Sequence, residues 1–206
     1  MPLQNRVDPY GALHAVAARG AWIGNRGVIH DDRRRVVRSW RLERWIVCAL
    51  EFKGRHRGVF TPGRWTELFF LDEATALAAG HRPCAECRRE RFEAFRAAWT
   101  AGRAEPPRAP RIDTALHAQR IAPGGGKRTY RAAVAALPDG AMIEFDDAPH
   151  LIWRGRLWPW RFEGYGPAKP LASGTDTVTV LTPRSSVRAL ERGYVPQVAV
   201  KDRAWS

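Results

Sequence analysis

Short apolar and aromatic runs dominate the hydropathy pattern, with only a few stretches of helical period. Phe92, Phe95 and Trp99 recur at three-to-four spacing among Arg88, Arg89, Arg91 and Arg96, which predicts an amphipathic helix over 88–101. A shorter helix is predicted over 73–79, capped by Asp72 and stopped by Gly80. Asp8-Pro9 reads as an N-cap followed by a proline in the first turn, with Leu13, Val16 and Ala17 as the apolar stripe of a helix ending before Gly20. Ile112–Arg120 and Thr129–Leu137 read as two further helices, and Ser185 or Ser186 as the cap of a last one ending at Gly193.

Strands are predicted where β-branched and aromatic residues concentrate: 44–52, 66–71, and, beyond Ala141, AMIEF, HLIWRG, RLWPWRF and TVTVL. Gly24-Asn25-Arg26-Gly27 reads as a loop leading to His30 and the charge run Asp31–Arg35, and the proline-rich stretch 103–110 as a linker. These elements predict an α+β fold: a helix-rich, zinc-stabilised N-terminal region followed by a small antiparallel C-terminal sheet. The boundaries expected are 1–102 for the basic zinc-binding region, 103–137 for a linker with helices, and 138–206 for the β-rich region with its terminal helix.

Composition adds a partner class. The chain of 206 residues carries a formal charge of +13, of which +12 falls in residues 1–131 and +1 in the remainder. Thirty of the 34 basic residues are arginine, whose planar fork of donors matches phosphate and stacks on bases. Nucleic acid is therefore the expected partner, DNA ahead of RNA. Hydrophobic residues make up 45% of the chain, which excludes the composition of a disordered protein. No window approaches the roughly 20 uncharged apolar residues of a membrane span, and the first residues lack an apolar leader, so a cytoplasmic protein is expected.

The sharpest motif is Cys84-x2-Cys87. Two thiols so spaced on a turn before a helix suit one zinc ion, with metal-free thiols and a redox pair as alternatives. Phe69-Phe70 followed by Gly80-x-Arg82-Pro83-Cys84-x2-Cys87-Arg88 resembles the zinc-binding N-terminal domain of the adaptive-response methyltransferase Ada, over residues 44–90. The resemblance implies two further ligands upstream as a Cys-x3-Cys pair near 53–57, where this chain has Lys53-Gly54-Arg55-His56-Arg57. Cys48 and His56 are the substitutes expected, giving a structural site of Cys48, His56, Cys84 and Cys87, with His81 as the competitor of His56. The methyl-accepting cysteine of the Ada pattern is missing, which argues against methyl transfer to the protein. The stretch Thr66–Cys87 together with Leu157–Trp160, Gly164-Tyr165 and Leu181–Pro183 also resembles a group of uncharacterised bacterial proteins.

Asp113, His117 and Arg120 share one face of their predicted helix, and with His30 they are candidates for a metal-assisted nuclease site that would use a second divalent cation. Asn25, Arg26, Arg88, Arg89, Arg120 and Lys127 are the candidate phosphate contacts. Gly124–Lys127 fails the P-loop pattern because Arg128 follows the lysine. Trp153, Trp158 and Trp160, interleaved with arginines, are either sheet core or a base-stacking platform. The reading is a zinc- and nucleic-acid-binding protein of DNA repair or processing, a nuclease or else a non-catalytic module such as a regulator or recruitment factor. An enzyme steering a small acidic substrate is a third reading.

Overall fold

The structure, a computed structural model, describes residues 1–54, 58–100, 105–171 and 176–201. Two sheets organise these residues. The first contains β1 (Arg6–Val7), β2 (Leu13–His14), β3 (Trp22–Asn25), β4 (Ile46–Cys48), β5 (Leu68–Phe70) and β6 (Arg82–Pro83), in the order β2-β1-β5-β3-β4-β6. The second runs β11-β10-β9-β8-β13-β7, with β12 also paired to β10. Its strands are β7 (Tyr130–Ala133), β8 (Met142–Phe145), β9 (Ala148–Trp153), β10 (Arg156–Arg161), β11 (Gly164–Tyr165), β12 (Lys169–Pro170) and β13 (Thr177–Val180).

Four short α-helices accompany the sheets among the described residues: α1 (Glu73–Ala78), α2 (Arg89–Thr100), α3 (Ala109–Arg120) and α4 (Arg184–Glu191). The expectation of an α+β fold with a helix-rich N-terminal region is thereby corrected: the molecule is sheet-dominated, and the described residues of 1–71 contain strands and loops but no helix. Two predicted helices are absent for identifiable reasons. Asp8 spends its carboxylate on a turn, accepting from Ala12 N and from the His14 ring, so 8–12 becomes the link between β1 and β2. Tyr130–Ala133 pairs with Thr177–Val180 and is a strand, with a single 3-10 turn at Val134–Ala136 after it.

α1 forms as expected. Asp72 accepts from Thr75 N at 2.8 Å and from Thr75 Oγ1 at 2.7 Å. At the other end Gly80 takes φ +88, and the amides of Gly80 and His81 return to Leu77 O and Ala76 O, a Schellman closure. An added Cβ on Gly80 would lie 2.5 Å from Arg120 Cδ, so the tight turn and the buried arginine depend on the same missing side chain.

α2 and α3 lie between the two halves. Their apolar positions Phe92, Phe95, Ile112 and Leu116 join Ile143, Ile152, Leu157, Val178 and Val180 of the second sheet and Val187 and Leu190 of α4 in one aliphatic core. The first sheet has a smaller core, built from Val7, Ile29, Val47, Leu68 and Phe70, and a separate cluster in which Ile23 packs on Cys48 and Cys84.

Candidate metal centre

Strand pairing builds this site. β4 lies antiparallel to β3, with Cys48 opposite Ile23, and parallel to β6, with Val47 opposite Pro83. The chain leaving β6 continues the ladder through Cys84 N donating to Val47 O at 2.9 Å, which sets Cys84 beside Cys48. The following turn, in which Glu86 N reaches Cys84 Sγ at 3.4 Å and Arg88 N reaches Cys84 O at 3.2 Å, returns Cys87 to the same spot.

The three sulfur atoms lie within 4.8 Å of one another. Around a tetrahedral zinc with bonds of about 2.3 Å, sulfur atoms stand about 3.8 Å apart, so only small side-chain adjustments separate this arrangement from a coordinated one. Hydrogen bonds from the Cys48 and Cys87 thiols and from the Cys87 and Glu86 amides draw the Cys84 thiol below its ordinary range. Cys48 is pushed far up, first by its hydrogen bond to Cys84 and then by that to Cys87 and by burial. Three thiols so placed cannot all ionise without a cation to share their charge, and a bound cation would release the remaining protons.

The cluster faces a cavity of about 240 Å³ that Asn25, Arg44, Phe52, Trp65 and Glu86 also line. Of the four ligands expected, Cys48, Cys84 and Cys87 are brought together, and His56 lies outside the described residues. His81 is elsewhere. It is fully buried between Trp45 and Phe70, with Arg26 Nε at 3.4 Å, and burial together with Arg26, Arg120 and Lys127 holds its ring neutral.

The nuclease candidates do not assemble. Asp113 gives both carboxylate oxygens to Arg82, at 2.8 Å each, in a buried bidentate pair. His117, three residues from Arg120, accepts from Arg120 Nη2 at 3.0 Å and packs on Trp40. His30 is buried in another setting, 2.6 Å from Thr66 Oγ1 and stacked on Phe60. The pairing of Asp113 with His117 is thus replaced by two separate arginine contacts, because Arg82 on β6 presents a full guanidinium fork to the carboxylate.

Most of the candidate phosphate contacts are interior. Arg26 and Arg120 enclose the Trp45 ring from 4.1 and 3.9 Å. Arg26 donates to Gly11 O, and Arg120 to Gly80 O, while Lys127 caps Ala78 O. Arg120 and Lys127 thus bind carbonyls at the C-terminal end of α1, where the helix dipole is negative, while Arg26 binds the β1–β2 link. Arg88 is buried against Glu73 and Gln197, and Asn25 is buried in β3; Arg89 alone of the six is exposed. Trp160 is core, its indole donating to Thr75, whereas Trp153 and Trp158 pack around that core half-buried. A larger cavity, about 870 Å³, shares no lining residue with the cysteine cavity and lies between Arg19–Ala21, Leu71, Trp158 and Tyr165.

No family model matches the chain, and neither the curated proteins nor the solved structures give a significant match. No helix among the described residues is long and apolar enough to cross a membrane. The sequence shows the charge run Asp31–Arg35 but singles out no contact residue in the segment between β3 and β4, where Arg33, Arg34, Arg35, Arg38, Arg41 and Arg44 are all exposed. The signal was there: six arginines in twelve residues, around Trp40.

Proposed function

We propose that this protein binds nucleic acid, DNA in the first instance, and that a zinc ion held by Cys48, Cys84 and Cys87 fastens β4 to the turn between β6 and α2. The observation that carries the metal reading is the convergence of three thiols from two separate chain segments within 4.8 Å. Soft thiolate donors select zinc among the common divalent ions, and three thiolates supply three of the four donors that a structural zinc site uses. The knuckle's resemblance to the Ada metal-binding domain points the same way. Support for the polyanionic partner is the charge of +13 and its concentration before residue 132.

Phosphodiester cleavage is not part of the proposal, because Asp113 is committed to Arg82 and His30 to Thr66. The role that remains is a binding module, acting in DNA repair, processing or regulation.

Elemental analysis of the purified protein tests the metal. Stoichiometric zinc is expected, lost in Cys84→Ser/Cys87→Ser. Chelation should remove about 4 kcal/mol of stability if free metal stood a thousandfold above its Kd, or about 10 °C of melting temperature in a chain of this size. Full zinc retention in the double variant defeats the assignment. The partner is tested by titrating labelled DNA at rising salt: affinity should fall steeply, and absent or salt-independent binding rejects the nucleic-acid reading.

A further inference from the structure

We propose that residues 31–44, the connection from β3 to β4, form a docking surface for single-stranded nucleic acid. This inference rests on the nucleic-acid reading above and gives it a location and a strand preference.

The segment presents Arg33, Arg34, Arg38, Arg41 and Arg44 to solvent, with Arg35 exposed but paired to Asp31 at 2.7 Å, together with Val37, Leu42 and Trp40, whose residue surface remains 37% exposed. Its backbone is held at several points. Asp31 organises the first turn, accepting from Arg33 N at 3.0 Å and Arg35 N at 2.9 Å through one carboxylate oxygen, while its carbonyl takes Arg34 N at 2.9 Å. A bridge pairs His30 with Val36, and Val37 N reaches Ile29 O at 2.9 Å. The far end is tied down where the amides of Arg41 and Leu42 both donate to Arg26 O, at 2.9 and 3.0 Å. Gly27 makes that approach possible: at φ +95, an added Cβ would stand 3.0 Å from Leu42 Cγ and 3.1 Å from Arg41 Cβ. Arginines on a backbone already fixed lose less entropy on meeting a polyanion than those on a floppy arm.

Beneath the surface the charge has the same sign. Trp40 packs edge-on against His117, ring centres 4.4 Å apart, and His117 adjoins Arg120. Arg120 and Arg26 in turn flank Trp45 inside the fold. Guanidinium groups buried in a low-dielectric interior project their field outward with little screening, so they add to the potential at the exposed arginines.

The aromatic decides the class of polyanion. In a duplex the base faces are stacked on one another, and a partly exposed indole finds only backbone and groove edges. In a single strand each base offers a free face, worth about 1–3 kcal/mol when it stacks on an aromatic side chain. An acidic polypeptide would satisfy the arginines and leave the indole without that partner.

The test uses the full chain and fluorescein-labelled oligonucleotides of one sequence as single-stranded DNA, single-stranded RNA and duplex DNA, with polyglutamate as competitor. Tighter binding of either single strand than of duplex is expected, as is weak competition by polyglutamate. Trp40→Ala should weaken single-strand binding about tenfold and leave duplex binding unchanged, with Trp40→Phe restoring most of the loss. Replacing Arg33, Arg34, Arg38 and Arg41 by Gln should flatten the log–log salt slope by about 3. Zinc content and melting temperature, unchanged in these variants, show that the fold is intact.

Wild-type affinity for single strands in both variants would overturn the surface while leaving the nucleic-acid reading standing. Preference for duplex, or polyglutamate competing as well as DNA, would overturn the strand assignment. No binding of any oligonucleotide by the wild-type protein would reject the broader reading and this inference with it.

Discussion

The two sheets solve the problem of an interior in opposite ways. Around the second, the buried positions are mostly aliphatic and aromatic, from Ile143 and Ile152 to Val178 and Leu190, with Thr75, Thr100, His150, Thr182 and Ser186 among the polar exceptions. Around the first, the interior contains Arg26, Glu67, His81 and Arg82, joined by Asp113 and Arg120 from α3, while buried Asp72, Glu73 and Arg88 lie at the seam and bond Tyr165, Tyr194 and Gln197 of the other half. α3 therefore carries two different cores on neighbouring stripes: Ile112 and Leu116 enter the aliphatic one, while Asp113, His117 and Arg120 serve the charged one. One half gains stability from area removed from water. The other depends on geometry, since a buried charge stabilises only while its partner is in place.

Removing one partner is the most direct way to break that distinction. Asp113→Ala leaves the Arg82 guanidinium buried without its carboxylate and should cost about 3–5 kcal/mol in denaturant unfolding. The double change Arg82→Met/Asp113→Leu should recover much of the loss. If the single variant is as stable as the wild type, the first half is not held together by its charges. On the other side, Leu157→Ala in β10 opens a void in the aliphatic core and should cost about 3 kcal/mol. That loss should be the same with and without chelator, because no cysteine adjoins the cluster; a metal-dependent loss would merge the two halves.

The smallest effect is a slope. Burial brings the Lys127 ammonium down to about 7 from the ordinary 10.5, with Arg26 as the next cause. The unfolded chain then takes up this proton at a higher pH than the folded protein does. Its contribution to stability is full above pH 10.5, falls as pH drops through the interval, and levels off below about 7. Lys127→Met should flatten the stability profile between those limits relative to wild type, and an unaltered profile would show that Lys127 is solvated.

This contrast also explains which parts of the chain could be read directly. Strands 142–145, 148–153, 156–161 and 177–180 and helix α2 were legible because burial and hydrophobicity coincide there. Asp72 was legible as a cap since capping is local. In the first half the equation of buried with apolar fails. Arg26 and Arg120 look like surface residues in sequence and lie inside, and Asp8-Pro9 carries the letters of a helix start while folding as a turn. Of the metal centre, Cys84 and Cys87 were readable from their spacing. Cys48 came from proximity in sequence to an expected position, and its place beside them depends on the parallel pairing of β4 with β6, which no local pattern encodes. The pairing of Asp113 with Arg82 spans 31 residues and was equally out of reach.

The path of the chain through the cysteine cluster bears on how the protein reaches its fold. From Cys48 to Cys84 the chain makes one excursion of 36 residues, which contains β5, α1 and β6. A metal ion held by Cys84, Cys87 and Cys48 would act as a removable cross-link that closes this excursion into a ring. Closing a ring of that length costs an unfolded chain several kcal/mol in entropy, of the order ascribed to a disulfide of similar span. The same ring would restrict the chain before β5 and β3 have met, so the rate of folding should depend on metal even where the final sheet does not.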